Sequence, residues 1–297
     1  MTSNNVTAIS IIGHTGVVGK RVYEWFKKSI YPKYKVMGLS IDKQTYSWDE
    51  INRDADYIFI AVPTPFDWKK KEYKTNIVEE VLDKIVGKKK VIIKSTVVPG
   101  TTDILQKKYP ELLLFFNPEF LSEKTAEADF INPDRQIIGY TNKSYCYAQE
   151  ILHLLPQSPY DVIMNASEAE VCKYVNNFHG ALMVIFSNFF YDVCEKLGSN
   201  YETVKKASIA SKWVGSPMGR MYWEVFHKGK RGYGGTCFPK DINSLIKWCK
   251  ENKINTEIIE ATQKANVRML KSQDLNEQVL EKNNGNKKHP SKRNSQG

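Results

Sequence analysis

The strongest constraint on the fold is an alternation of short apolar segments and amphipathic segments over residues 8–164. The first apolar segment, Ala8–Ile12, runs into a glycine-containing loop, and a helical pattern with Val22 and Phe26 on one face follows. Strands that alternate with helices are typical of a parallel sheet covered on both faces. The sequence therefore predicts an α/β fold: a Rossmann-type doubly wound parallel sheet.

The loop after the first strand has the features of a phosphate-binding turn. Loop amides and a helix N-terminus together favour an anion such as a pyrophosphate. The glycine spacing, G-x-x-G-x-x-G, is one residue longer than the usual dinucleotide fingerprint. His14 is predicted to face solvent. The residues predicted to bind the cofactor here are Gly13, Gly16, Val18 and Gly19.

An acid after the second strand usually binds the adenosine ribose of the cofactor. Asp42 is the candidate for this role, and an ordinary turn aspartate is an equally weighted alternative.

Several polar residues follow predicted strand ends: Thr64, Thr96, Glu119 and Glu123. Each of them alone could be a turn or capping residue. In an open parallel sheet, however, ligands bind outside the carboxyl ends of the strands. The shared position therefore predicts that these side chains belong to a functional site.

The second half of the chain is predicted to be a smaller all-helical domain with one long helix over residues 167–197. Ser167-Glu168-Ala169-Glu170 matches a capping box that would open this helix. Lys173 and Asn177 share one helical face, and Lys173 either reaches solvent or is held in a site. A further helix is predicted from about residue 255 to 280. The predicted domains are residues 1–165, residues 166–281 and a disordered basic tail, residues 282–297.

Cys237 lies between a glycine-rich segment, Gly232–Gly235, and Pro239, after which the apolar pattern becomes helical. Proline suits the first turn of a helix, so Cys237 is predicted just ahead of a helix N-terminus. That location favours the thiolate, which can act as a nucleophile. The alternative is a small buried side chain, which is the usual role of an unpaired cysteine.

Composition narrows the class of protein further. The chain has 297 residues, of which 41% are hydrophobic, and a net charge of +10. Five of these positive charges lie in residues 282–297, which have no acid and no aromatic residue, so nothing favours nucleic acid as a partner. The longest apolar runs are far below the roughly 18 residues of a membrane span, and residues 1–7 lack the features of a signal peptide. Five cysteines without a C-x-x-C pair predict neither a disulfide framework nor a metal site, which indicates a reducing, cytoplasmic location.

Separated motifs in this sequence resemble those of the UDP-glucose/GDP-mannose dehydrogenase family, in the same order, over residues 8 to about 270. The segment from Gly234 to Asp241 is the most specific of them. The others are Val62-Pro63-Thr64-Pro65, Lys94-Ser95-Thr96, Asn117-Pro118-Glu119-Phe120-Leu121, Asn132-Pro133-Asp134-Arg135 and the pair Lys173 and Asn177.

The resemblance implies oxidation of a nucleotide sugar, UDP-glucose above all, at C6 to the acid, with NAD as cofactor. It implies Cys237 as nucleophile, and Lys173 and Asp241 as groups that position the reacting oxygen. It further implies proton transfer by Glu119 with Thr96 and Glu123. The length of helix 167–197, which is unusual for a globular protein, separately indicates a homodimer formed through this helix. Sugar-pocket residues would be Asn177, Phe120, Leu121, Glu123 and Gly234, and residues near the cofactor would be Thr64, Thr96, Glu123 and Lys240.

Two departures from the family pattern keep alternatives open. Ser40 stands where family members have the ribose-binding aspartate, which leaves NAD and NADP both possible. The chain also ends where a third, nucleotide-binding domain is expected. One alternative is a β-hydroxyacid dehydrogenase, whose Lys-x-x-Asn-Asn resembles the segment from Lys173 to Asn177. Another is an inactive partner of a full-length enzyme.

Overall fold

The structure is a computed structural model. It describes residues 6–30, 32–68, 72–73, 76–122, 125–211, 214, 220–227, 229–235 and 237–277. The strands are β1 (Ala8–Ile12), β2 (Lys35–Leu39), β3 (Tyr57–Ile60), β4 (Phe66–Asp67), β5 (Glu72–Tyr73), β6 (Lys90–Ile93), β7 (Leu113–Phe116), β8 (Gln136–Tyr140) and β9 (Asp161–Asn165).

In the first half of the chain the helices alternate with strands, as the sequence predicts. In the described part of the chain after β9, the regular structure is helical. The helices are α1 (Val17–Lys28), α2 (Trp48–Asp54), α3 (Asn76–Leu82), α4 (Thr101–Lys108), α5 (Ala126–Ile131), α6 (Ala148–Leu154), α7 (Ala166–Leu197), α8 (Tyr201–Ile209), α9 (Phe238–Glu251) and α10 (Glu257–Lys271), with 3-10 turns at Tyr145–Tyr147 and Arg220–Trp223.

The chain divides into two compact units. The first contains the described residues up to Asp67 together with Tyr73–Val175, and the second contains Trp68, Glu72 and the described residues from Asn176 onward. The predicted assignment of residues 1–165 and 166–281 to two domains stays a prediction, and residues 282–297 lie outside the described part of the chain.

The first unit is built on a seven-stranded sheet of order β2-β1-β3-β6-β7-β8-β9. Neighbouring strands in this sheet pair in parallel, except that β7 and β8 pair antiparallel. The doubly wound fold is thus confirmed, but an entirely parallel sheet is wrong. The connection between β7 and β8, residues 117–135, includes the short helix α5, and β8 then runs antiparallel beside β7, with Phe115 opposite Tyr140 and Phe116 opposite Gly139.

Side chains that alternate along each strand fill the cores on both faces of this sheet. In β3, Tyr57 and Phe59 pack in one apolar cluster with Val22 and Phe26 of α1. Ile58 and Ile60 pack in a second cluster on the opposite face. Burial on both faces explains why these strands are continuous apolar runs.

Helix α7 begins differently from the prediction. The helix starts at Ala166, and the carboxylate of Glu168, not of Glu170, reaches back to accept the N–H of Asn165 at 2.8 Å. Glu170 is fully buried instead, because its carboxylate caps the start of α4. It accepts the N–H of Gly100 at 2.5 Å, and the N–H and hydroxyl of Thr102 at 2.8 and 2.6 Å.

Helix α10 is shorter than the predicted span of about residues 255–280. It ends at Lys271, and Asp274 adopts a left-handed conformation with φ 55°. The N–H of Leu275 then returns to the carbonyl of Leu270 at 2.9 Å, which closes the helix. Apolar periodicity continues past this point, so it did not reveal the helix end.

Among the described residues, none of the helices combines the length and the hydrophobicity that a bilayer-spanning segment requires. All five cysteines lie in the described part of the chain, and none of them forms a disulfide.

Candidate functional site

The loop between β1 and α1 is a close-packed turn that only glycine permits at two positions. Gly13 has φ 90°, and a Cβ there would lie 2.4 Å from the carbonyl oxygen of Ala61. A Cβ at Gly19 would lie 2.1 Å from the carbonyl oxygen of Gly13. The first turn of α1 contains no acid, so its N-terminus retains its preference for negative charge. These residues fit the pyrophosphate of a dinucleotide, with Gly16 at the N-cap and Val18 in the first helical turn.

The residues after β2 form a polar network with this loop. Ser40 is buried, and its hydroxyl lies 2.9 Å from Nδ1 of His14 and accepts the N–H of Thr15 at 3.2 Å. His14 itself is 6% exposed, so its predicted solvent-facing position is wrong. The reason is that Ser40, standing in place of an acid, offers the ring a hydrogen-bonding partner inside the fold. The exposed Asp42 carboxylate accepts the Thr15 hydroxyl at 2.7 Å and is thereby fixed beside the glycine loop.

The role of Asp42 as the carboxylate that binds the ribose stays a prediction, with which its position beside the glycine loop agrees. We expect Asp42→Asn to weaken NADH binding about tenfold and NADPH binding much less, because the charge that repels a 2′-phosphate is removed. Fluorescence titration with both reduced cofactors measures the preference directly. Asp49→Asn, at an exposed position in the first turn of α2, is the matched control. An unchanged preference in Asp42→Asn would identify Asp42 as an ordinary turn residue.

Three predicted site residues follow the carboxyl ends of neighbouring parallel strands: Thr64 after β3, Thr96 after β6 and Glu119 after β7. The structure brings the first two together, because the buried hydroxyl of Thr64 donates to the carbonyl oxygen of Thr96 at 2.9 Å. Thr96 is half-buried. Glu123 lies outside the described residues.

Glu119 belongs to a buried charged cluster. The ammonium of Lys94, whose side chain is only 2% exposed, lies 3.0 Å from Glu119 Oε2 and donates to Asn117 Oδ1 at 2.5 Å. Asn117 in turn donates to the carbonyl of Ile137 at 2.8 Å. A buried lysine needs an opposite charge and further hydrogen bonds, and this cluster supplies both. Lys94 and Asn117 were not predicted as site residues, although both stand in the motifs that resemble the family; the signal was a lysine at the end of the apolar run of β6.

Lys173 of α7 also contacts Glu119. Its ammonium donates to the main-chain carbonyl of Glu119 and lies 5.7 Å from the centre of the Phe120 ring. The guanidinium of Arg135 lies over the same ring at 4.0 Å. Lys173 is therefore held within the first unit. Leu121 packs against the apolar cluster that contains Phe59.

In the second unit, Cys237 occupies the N-cap of α9, as the sequence predicts, with Pro239 in the first turn. Its side chain is exposed, which contradicts the alternative of a buried apolar cysteine. Tyr222 lies nearby, and burial, with a smaller effect from Cys237, raises the pKa of Tyr222 above its ordinary value. The Tyr222 ring packs 5.9 Å from that of Phe238.

Asp241 lies one helical turn after Cys237 and is 1% exposed. Its N–H donates to the Cys237 carbonyl at 3.0 Å. Its carboxylate accepts the side-chain amide of Asn177 and the ammonium of Lys240, the latter at 2.6 Å. The second unit thus brings three predicted site residues together, Asn177, Lys240 and Asp241. Gly234 lies in the half-buried loop that precedes Cys237.

Known proteins resemble this chain in both sequence and fold. The UDP-glucose 6-dehydrogenase of Rickettsia bellii is 30% identical over 264 residues, which cover 84% of this chain and 58% of that protein. The chain thus spans less than two thirds of the length of this curated relative.

Solved structures share the fold. A UDP-glucose dehydrogenase of Pyrobaculum islandicum matches with a TM-score of 0.74 and 23% identity, over 92% of this chain and 72% of that one. A 3-hydroxyisobutyrate dehydrogenase of Mycobacterium tuberculosis matches with a TM-score of 0.68 and 15% identity, over 93% of this chain and 96% of that one.

Two family domains match successive parts of the sequence. Residues 9–154 match the NAD binding domain, and residues 167–268 match the central domain. The two matched ranges together cover most of the chain, and they include the glycine loop as well as Cys237. On this evidence, the chain belongs to the UDP-glucose/GDP-mannose dehydrogenase family.

Proposed function

We propose that this protein oxidises a nucleotide sugar, UDP-glucose in the first instance, at C6 to the uronic acid in two NAD-dependent steps. The observation that carries the proposal is the exposed Cys237 thiol at the N-terminus of α9, one turn from a buried Asp241 that Asn177 and Lys240 hold in place. A single oxidation of an alcohol to a carbonyl does not require a nucleophilic cysteine, whereas oxidation to an acid gains from a covalent intermediate. The similar Rickettsia bellii protein carries the name UDP-glucose 6-dehydrogenase.

In this mechanism the sulfur of Cys237 attacks the C6 aldehyde produced by the first oxidation and forms a thiohemiacetal. The second oxidation removes the remaining hydride from C6 and leaves a thioester. Water then cleaves the carbon–sulfur bond, which releases the acid and returns the thiolate. NAD⁺, when bound, accepts one hydride in each oxidation, so that one alcohol and one water give one acid and two NADH.

The charged groups around this chemistry have separate tasks in the proposal. The ammonium of Lys173 and the carboxylate of Asp241 orient the oxygen on C6 and the hydrolytic water, and Lys173 stabilises negative charge that develops there. Glu119 and Thr96, with Glu123, transfer protons. Lys94 holds the Glu119 carboxylate through their 3.0 Å ion pair.

The remaining predicted residues are assigned to binding. Asn177, Phe120, Leu121, Glu123 and Gly234 contact the sugar. Thr64, Thr96, Glu123 and Lys240 lie near the cofactor, and the glycine loop with Asp42 holds its pyrophosphate and ribose.

We further propose a homodimer formed through α7. In the second unit this helix exposes an apolar face, on which Phe189 is 61% and Leu197 is 72% exposed. Phe186, Phe190 and Val193 lie on the same face, at helical spacing. Sedimentation of the purified chain as a monomer at micromolar concentration would contradict this proposal.

A second candidate is a one-step β-hydroxyacid dehydrogenase. The run Lys173-Tyr174-Val175-Asn176-Asn177 favours it, because it resembles the Lys-x-x-Asn-Asn of that family. The exposed Cys237 favours the two-step reaction instead, since a one-step oxidation gives this thiol no task.

Counting NADH separates these possibilities. The purified chain is incubated with NAD⁺ and a panel of nucleotide sugars and β-hydroxyacids, and the absorbance of NADH is compared with the substrate consumed. Two NADH per nucleotide sugar support the proposal, and one NADH per hydroxyacid supports the second candidate. The absence of NADH with every compound would favour an inactive partner of a full-length enzyme.

A further inference from the structure

The loop that leads to Cys237 is held by a side-chain amide from α10. Asn266 is fully buried, and its Oδ1 accepts the main-chain N–H of Tyr233 at 2.8 Å. Its Nδ2 donates to the carbonyl of the same residue at 3.0 Å. A Cβ at Gly232 would lie 2.8 Å from Asn266 Oδ1, so the main chain packs directly on this amide. Asn266 therefore supplies both hydrogen bonds that a neighbouring strand would otherwise supply.

The same pattern recurs two residues earlier in the loop. Gln273, in the turn after α10, accepts the N–H of Arg231 through Oε1 at 2.9 Å and donates to its carbonyl through Nε2 at 3.1 Å. A loop with no strand partner must satisfy its main-chain groups elsewhere. For Arg231 and Tyr233 two amide side chains satisfy these groups, and both belong to the segment from α10 onward.

Glu277 connects Asn266 to α9, the helix that follows Cys237. Its Oε1 accepts Nδ2 of Asn266 at 3.1 Å, and its Oε2 accepts Nδ2 of Asn243 at 3.3 Å. Asn243 also donates to the carbonyl of Pro239, in the first turn of α9, at 2.7 Å. Glu277 is 6% exposed, and burial raises its pKa above the ordinary value. One carboxylate thus joins the main chain before Cys237 to the main chain after it.

We propose that Asn266 and Glu277, with Gln273, are positioning residues for Cys237. Acting through the main chain, they hold the thiol at the N-terminus of α9, where the helix stabilises the thiolate. The proposal rests on the proposed function only for the use of that thiolate in the reaction. Loss of the Asn266 amide leaves buried main-chain groups of Tyr233 unsatisfied, so the loop adopts other conformations and Cys237 leaves its position at the N-cap of α9.

The test measures the chemical reactivity of Cys237 without any substrate. Asn266→Ala and Glu277→Gln are compared with the wild-type chain by iodoacetamide alkylation between about pH 6 and pH 9, and mass spectrometry of the peptides reports each cysteine separately. Cys146, which is exposed and lies in the first unit, is the internal reference. Asn252→Ala and Glu251→Gln, at exposed positions at the far end of α9, are the control variants.

Asn266→Ala is expected to slow Cys237 alkylation about 3- to 10-fold near pH 7, because the thiol is no longer held at the N-terminus of α9. Glu277→Gln is expected to have a smaller effect in the same direction, since an amide retains one of the two acceptors. Where the chain is active, kcat should fall and KM should change little. Alkylation of Cys146, and of Cys237 in both controls, should not change.

A folded Asn266→Ala protein with the wild-type pH profile of Cys237 alkylation would overturn the proposal, as would a parallel change at Cys146. If Asn266→Ala does not fold, Gln273→Ala provides the test, because Gln273 is only half-buried. This variant should slow Cys237 alkylation about 2- to 3-fold. An unchanged alkylation rate in Gln273→Ala would overturn the proposal. Because alkylation needs no turnover, a wild-type chain inactive on every nucleotide sugar would contradict the proposed function and leave this result intact.

Discussion

Replacing Cys237 by serine is expected to reduce uronic acid formation by at least about 10³-fold. A serine hydroxyl is not ionised near neutral pH, and the N-terminus of α9 stabilises a thiolate far more readily than an alkoxide. In the proposed mechanism the aldehyde is then not captured, and the second oxidation has no covalent substrate. Acid is measured by chromatography of the nucleotide products, and NADH by absorbance in the same reaction.

Cys146→Ser is the matched control for this experiment. Its thiol is exposed like that of Cys237, but it lies in the 3-10 turn Tyr145–Tyr147 of the first unit, so its acid production should stay within about twofold of wild type. Acid production by Cys237→Ser at the wild-type rate would remove the nucleophile from the mechanism.

Replacing Glu170 by alanine is expected to lower the free energy of unfolding by about 3 to 5 kcal/mol. The change removes an acceptor from two main-chain N–H groups and one hydroxyl at the start of α4, and it leaves a cavity in a fully buried position. Urea unfolding followed by circular dichroism measures the loss. Glu168→Ala is the control, because among the described residues this exposed carboxylate accepts only the N–H of Asn165; about 1 kcal/mol is expected there. Equal losses in the two variants would contradict the role of burial.

The Glu170 carboxylate also makes the free energy of unfolding depend on pH, and the direction of this dependence can be stated. Burial raises the pKa of Glu170 from 4.5 to about 7, so the folded chain holds this proton more tightly than the unfolded chain. The stability that this proton contributes is fully present below pH 4.5, the pKa of the group in the unfolded chain. It is lost as the pH rises through about 7, by at most about 3 kcal/mol. The wild-type chain should therefore lose stability relative to Glu170→Gln between about pH 5 and pH 8. A constant difference across this range would show that the ionised carboxylate is tolerated in place.

The elements of the first unit were predictable because each is specified locally. A strand buried on both faces is a near-continuous apolar run; β3 and β7 are entirely apolar, and β1 and β6 depart from this only at Ser10 and Lys90. The N-cap position of Cys237 was predictable for a similar reason, because Pro239 can stand in the first turn of α9 but not further along it.

Contacts between distant segments were not predictable from periodicity. Ser40 and His14 lie 26 residues apart, so a pattern of apolar residues could not show that the ring is buried against that hydroxyl. The capping box at the start of α7 failed because Glu170 has better partners in α4 than in its own helix. The antiparallel direction of β8 was not predictable either, because it is defined by pairing with β7 and not by the apolar pattern of β8 itself.

The sequence by itself determined the strand–loop–helix order, the glycine turn that suits a pyrophosphate, and the family to which the chain belongs. All three depend on residues that are near neighbours in the chain, where spacing translates directly into geometry. Only the tertiary structure decided that Lys94 neutralises Glu119, that Asn177 and Lys240 hold Asp241, and that α10 carries the amides that grip the loop before Cys237. These partners are polar groups that folding buries next to one another. A buried polar group needs a donor or an acceptor beside it, and which group that is depends on the packing of distant segments.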